Sequence, residues 1–230
     1  MAGRGDAAMM RANVCHHISM TPPIPHDIRV LHEDANLLVV DKPAGLLSVP
    51  GRLPENHDSV ALRVQAGYPE ALIVHRLDQV TSGLMLMARD PVTQRALSEA
   101  FAARDIDKRY EAWVEGLVGG EAGEIDLPLI ADWPNRARQK VDHAMGKLSR
   151  TRWRVMTRDE ATSRTRLALE PVTGRTHQLR VHLAEIGHPI MGDVFYGAAD
   201  APRVCLHAAW LGFKHPATGL QAEFISPVPF

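Results

Sequence analysis

The stretch HRLDQVTSG, residues 75–83, sets an imidazole, a guanidinium and a carboxylate within four positions, at His75, Arg76 and Asp78. A carboxylate held beside cations stays ionised, and in that form it can act as a nucleophile or a general base. The same spacing also describes an ordinary turn, with Asp78 capping the backbone near Thr81 and Ser82. Taken alone, the turn is the simpler reading. A second candidate is Arg180 in GRTHQLRVH, about a quarter-turn from the apolar stripe of a predicted helix, where it either reaches solvent or meets a buried carboxylate. Other chemistries lack their residues. His177 and His182 are five apart, on different helical faces and unlike the pair of a zinc helix, and no Cys-x-x-Cys occurs, so no metal site is expected. No Gly-x-Ser-x-Gly elbow and no Gly-rich phosphate loop is present, and no acidic residue stands near Asp78 to complete a glycosidase pair.

Position must come from the flanking segments. ALIVHRLD and SGLMLMARD read as two apolar strands whose ends pin the backbone of the polar cluster. Upstream, IRVLHEDANLLVVDKPAG reads as strand, turn and strand, ended by Lys42-Pro43 and Gly45. Asp90-Pro91 starts a helix that buries Val92, Ala96, Leu97, Ala100 and Phe101. KRYEAWVEGLV is strand-like up to Gly119-Gly120. Thr176 is placed to cap a helix over THQLRVHLAEIGHP, with Leu179, Leu183 and Ile186 on one face and Gly187 and Pro189 ending it. SRTRWRVMTR, TRLALEPVTG, RVCLHAAWLGF and LQAEFISPVP add strands. Strands outnumber helices without regular alternation, which predicts an α+β fold with a mixed, largely antiparallel central sheet and flanking helices.

Of the 230 residues, 45% are hydrophobic and 23% charged, as in ordinary globular chains, and no apolar run is long enough to span a bilayer. Residues 1–25 lack the apolar region of a secretory signal and read as a disordered tail, with Met10 or Met20 as alternative starts; residues 26–230 read as one domain. Cys15 and Cys205 make no disulfide framework, which fits a reducing, cytoplasmic setting. Net charge is −1, yet residues 135–166 hold ten Lys/Arg against three acids, an excess of seven that leaves the remainder at −8. Such a stretch, with Arg136, Arg138 and Lys140 in DWPNRARQK, is either a surface for polyanion or a solvated hairpin.

HRLDQVTSGLMLMARD resembles the signature of the RluA-type pseudouridine synthases, in which this motif carries the catalytic aspartate. The likeness continues in the family's order through EDANLLVVDKPAGLLSVPG, DKRYEAWVEG, GRTHQLRVHLAEIGHPIMGD and LHAAWLGFKHPATG, from about residue 31 to 230. GLLSVPGRLPENHDSV and DLPLIADWPNRARQKV look like the short subgroup that acts on both tRNA and 23S ribosomal RNA and lacks the extra N-terminal RNA-binding domain of larger relatives. GKLSRTRWRV departs from that subgroup by being more basic. The resemblance implies the pseudouridine synthase fold with a central RNA-binding cleft, and isomerisation of uridine with no cofactor. By the same resemblance Asp78 is catalytic, Arg180 pairs with it, and Tyr110 stacks on the flipped uracil. RNA contacts are expected from His75, Arg76, Thr81, Arg175 and His177, beside Arg136, Arg138 and Lys140. The expected partners are stem-loops of tRNA and 23S ribosomal RNA, with no membrane and no obligate protein partner. A synthase with a single RNA target is the runner-up; a silent RNA-binding module and a nucleoside hydrolase are the readings from other classes.

Overall fold

LLVV and LMLMA do not alternate because both become strands buried on two faces. The computed structural model describes residues 28–135 and 137–230; the expected tail, Cys15 and Arg136 lie outside the described residues. Strands β1 (Arg29–Glu33) and β2 (Leu37–Lys42) form a hairpin whose turn is capped by Asp34, its carboxylate accepting from the Asn36 and Leu37 amides. β3 (Leu72–Ile73) and β4 (Ser82–Ala88) flank the polar cluster. There follow β5 (Asp107–Glu115), β6 (Ala122–Asp126), β7 (Leu129–Ala131), β8 (Gln139–Val141), β9 (Arg150–Asp159), β10 (Arg164–Pro171), β11 (Leu206–Lys214) and β12 (Gln221–Ile225). Ten strands make one sheet in the order β1-β2-β4-β11-β5-β10-β9-β6, with β12 beside β11 and β3 beside β4, while β7 and β8 pair apart. Only β4 and β11 run parallel among these pairings, so the sheet is mixed and largely antiparallel, as the sequence suggests. That parallel contact explains the glycine of Thr-Ser-Gly: Gly83 has φ +111°, and a Cβ there would collide with the Ala208 backbone.

Helix α1 (Val60–Gln65), capped by Ser59, was not legible in the sequence; its Val60 and Val64 pack with Leu38, Val40, Met85 and Met87. On the opposite face Leu37, Val39, Leu84 and Leu86 meet Leu97 of α2 (Pro91–Ala103). Asp90 caps α2 as expected, but Val92 is 80% exposed and Thr93 is buried instead. The Thr93 hydroxyl donates to Asp90 and takes the inward place expected of Val92, while Leu97, Ala100 and Phe101 keep the expected face. In α3 (Gln178–Glu185) the cap is also corrected. Thr176 is exposed and caps nothing; His177 occupies the cap position at φ +54°, and no side chain bonds there. Gln178 braces the turn instead, accepting from the Arg175 amide and the Thr173 hydroxyl and donating to the Arg150 carbonyl. Leu179 and Leu183 then pack on Ala112, Val114, Leu167 and Leu169 of β5 and β10.

Half of the cations in the basic stretch are held in ion pairs. Arg150 and Arg152 pair with Glu124, Arg150 also with Asp126, Arg158 with Glu121, Arg164 with Asp159 and Arg166 with Glu111. Exposed pairs of this kind each contribute only about 0–1 kcal/mol. They offset part of the local excess of charge and leave Arg138, Lys140, Lys147 and Arg154 outside the ion pairs among the described residues.

Candidate active site

The cluster sits in a loop, residues 74–81, and the first of its two expected strands shrinks to the two residues of β3. Its backbone is pinned from elsewhere. His75 Nε2 accepts from the Leu86 amide at 2.8 Å, and the ring stacks on Phe101 at 4.3 Å. Burial, then the charge of Lys108, push this imidazole down to about 3, so it is a neutral brace in the cleft wall. Ser48 donates to the Leu77 carbonyl and accepts from the Leu77 amide. Lys42, fully buried at the end of β2, donates to the carbonyls of Pro43, Gln79 and Thr81 at 2.7–3.0 Å. Burial pushes its ammonium down to about 7 against the opposing pull of Asp78. Three carbonyl acceptors use all three protons, so the geometry fits the charged form. The Lys-Pro segment is therefore the clamp of the loop, a role its sequence did not reveal.

Asp78 projects from this loop into a cleft of about 490 Å³ whose walls include Arg76, Thr81, Tyr110, Arg175, His177 and Arg180. Its carboxylate accepts no hydrogen bond from the described residues. The nearest basic side chains are Arg180, whose Nη1 is 3.7 Å from Oδ2, and His177, whose Nε2 is 4.0 Å from the same atom. The expected Arg180–Asp78 pairing is thus only a loose contact. The close partner of Arg180 is Asp193, bonded through Nε at 2.6 Å and Nη2 at 2.8 Å, with both side chains buried. Burial alone would lower the guanidinium pKa, but the hydrogen bond and charge of Asp193, joined by Asp78, raise it. A carboxylate bound in two places aims Arg180 and leaves Asp78 open. Asp193 is also a second acid near Asp78, which the sequence had not shown, though both its oxygens are committed to Arg180.

Tyr110, on β5, stands in the same cleft, its phenol pKa raised by burial and then by the Asp78 charge, so it stays protonated. Thr81 is buried and structural as much as accessible: its carbonyl takes the Lys42 bond and its amide donates to the Asp78 carbonyl. Arg76 and Arg175 are exposed at the mouth, and Arg175 Nε reaches the Leu148 carbonyl at 3.3 Å. His177 Nδ1 meets the Tyr196 hydroxyl at 2.7 Å. His182 faces the core, bonding Thr151 and the Leu127 carbonyl, away from Asp78. Arg138 just precedes β8 and Lys140 lies on it, both exposed; the Arg138 guanidinium is 5.4 Å from the Phe195 ring, itself 5.7 Å from Arg180. The basic loop is in this way continuous with the cleft. Lys42, Ser48, Asp193 and Tyr196 are the site's unanticipated members. A lysine at the end of the apolar run LLVV, just before a proline, was the one available signal.

A carboxylate without hydrogen bonds, beside a fixed guanidinium and a protonated phenol in one cleft, suits attack on, or proton removal from, an electron-poor centre of an anionic substrate. Comparison with known proteins agrees with that chemistry. The family described as RNA pseudouridylate synthase matches residues 36–185. A dual-specificity RNA pseudouridine synthase RluA of Vibrio vulnificus is 48% identical over 91% of this chain and 86% of its own. The protein of the same name from Escherichia coli K12 is 46% identical over 91% of this chain and 97% of its own. Among solved structures, human RNA pseudouridylate synthase domain containing 1 superposes with a TM-score of 0.77 at 26% identity, over 92% of this chain and 87% of that one.

Proposed function

The chain belongs to the RNA pseudouridylate synthase family, and from that premise we propose that it isomerises uridine to pseudouridine in stem-loop RNA, with Asp78 as the reacting carboxylate. The observation that carries this reading is Asp78 itself, unbonded in the cleft and 3.7 Å from an Arg180 that Asp193 holds in place. The reaction breaks the bond from the ribose anomeric carbon to N1 of uracil and makes one to C5. The C5 proton is lost, and N1 ends protonated. No electrons or groups are exchanged with a second reactant, so the chemistry calls for no cofactor. A stacked uracil is out of reach, and extruding it costs about a few kcal/mol, least in a loop. Tyr110 would stack on the extruded base, Arg76 would fill the gap or hold its phosphates, and Arg180 would keep Asp78 ionised. Attack on the anomeric carbon, attack on the ring and removal of the 2′ proton are the three roles open to the Asp78 carboxylate.

The proposed substrates are the tRNA anticodon loop at uridine 32 and the hairpin around the uridine near position 746 of 23S ribosomal RNA, both met in the cytoplasm. Two unrelated RNAs can share one enzyme when recognition rests on loop shape and a few base contacts. A minimal anticodon stem-loop and the matching ribosomal hairpin should each be modified by pure enzyme. Modification of one alone would select a single-target synthase, and of neither, with activity on another uridine, would reject this specificity.

Charge makes a separate prediction. If Arg138 and Lys140 touch phosphates, replacing both weakens RNA binding and flattens the log–log salt slope by about 0.7–0.9 for each phosphate no longer neutralised. Replacing Arg150 and Arg152, already paired with Glu124, should leave the slope nearly unchanged. Equal slopes in both variants would return the loop to a solvated hairpin.

A further inference from the structure

The Tyr196 hydroxyl joins two parts of the molecule. The Gln139 backbone amide donates to it at 3.0 Å, and His177 Nδ1 lies 2.7 Å from it. An amide can only donate, so it takes the acceptor side of the oxygen, and the phenol proton must go elsewhere. His177 Nδ1 is the acceptor at hand; among the described residues that hydroxyl has no other hydrogen-bond partner. With Nδ1 accepting, a neutral imidazole carries its proton on Nε2, the nitrogen 4.0 Å from Asp78 Oδ2.

We propose that Tyr196 is a positioning residue that locks His177 in its Nε2–H tautomer, so that the ring presents a donor, never a lone pair, to the Asp78 carboxylate and to the uridine bound against it. The inference rests on reading Asp78 as the reacting group. The opposite tautomer would set two acceptors face to face. A doubly protonated ring would donate from both nitrogens and strand the phenol proton. Burial disfavours that cation first; the attraction of Asp78 is countered by Arg180, and that of Asp193 by Arg76, and the net effect is a lowered pKa. The lock also reaches the rim, because Gln139 sits between Arg138 and Lys140 on the basic loop. RNA docking there would act two hydrogen bonds away from His177, the ring that faces Asp78.

Tyr196→Phe isolates the hydroxyl. It keeps the ring that packs edge-on against His177 at 5.8 Å and under the Arg180 guanidinium at 5.0 Å. The test is long-range ¹H–¹⁵N correlation on the full chain with labelled histidine, with His177→Gln assigning the signals by their loss. Wild type should show a pyridine-type Nδ1 and a pyrrole-type Nε2 at His177, and Tyr196→Phe a tautomer mixture. On stem-loop RNA the variant should lose about 10–100-fold in kcat, the scale of other orienting partners, with KM little changed. A pyrrole-type Nδ1 or an imidazolium pattern in wild type would overturn the proposal. So would a Tyr196→Phe enzyme with wild-type spectrum and kcat. If wild type modifies no RNA at all, the functional reading fails, while the spectrum still decides the tautomer.

Discussion

Asp78→Asn yields a folded protein that binds stem-loop RNA and does not isomerise it. The substitution removes one charge and almost no volume, and the carboxylate accepts no hydrogen bond among the described residues, so no structural partner is orphaned. Asp78 also shares its cleft with Arg76, Arg175 and Arg180, a lining suited to polyanion, so its negative charge opposes binding. RNA affinity should therefore hold or tighten. Catalysis should fall about 10²–10⁴-fold if Asp78 acts as a base, and further if it is the nucleophile. Release of label from C5 of the uracil reads turnover directly, and filter binding reads affinity. Turnover within about tenfold of wild type would remove Asp78 from the mechanism.

The second large effect is expected at Asp193, a residue that nothing in its sequence neighbourhood singles out. Asp193→Ala leaves the Arg180 guanidinium buried without its two-point partner. Removing one member of a buried pair costs about 3–5 kcal/mol, because the remaining charge is uncompensated. For a chain of this size each kcal/mol is worth about 2–4 °C, so the melting temperature should fall by about 6–20 °C. Activity should fall as well, since Arg180 is freed to close on Asp78, the next carboxylate at 3.7 Å, and to occupy it. Asp193→Asn, which can keep one acceptor, should lie between the two. Thermal unfolding and turnover measured on both variants check this. A melting temperature within about 2 °C of wild type for Asp193→Ala would show that the pair does not hold the site together.

What the sequence disclosed depended on whether the deciding partner was near in the chain. Asp90-Pro91 predicts the start of α2 correctly because a cap bonds amides two and three residues away. The strand order is legible only as a class. Apolar runs show burial but not length, which is why ALIVHRLD looked like a strand and yields only Leu72–Ile73. The loop after it is held by Lys42 and Ser48, whose partners lie 29–39 residues away. Arg180 was visible as a misplaced charge on an apolar helix, but its partner Asp193 comes close only after the chain turns through Gly187. The pairing of the basic stretch was hidden for the same reason. Its neutralising acids, Glu124, Asp126 and Glu111, arrive from other strands through sheet pairing. The motif pointed to Asp78, which the fold places in the cleft, and the groups that hold its loop and Arg180 still came to light only in the folded chain.

Whether this chain makes pseudouridine in RNA with Asp78 is decided by mapping pseudouridine across total RNA. Three strains suffice: the gene present, the gene deleted, and the gene carrying Asp78→Asn. Pseudouridine is expected at one or a few stem-loop uridines in the first strain, including the anticodon-loop and 23S positions, with unmodified uridine at the same places in the other two. An identical map in all three would refute the assignment.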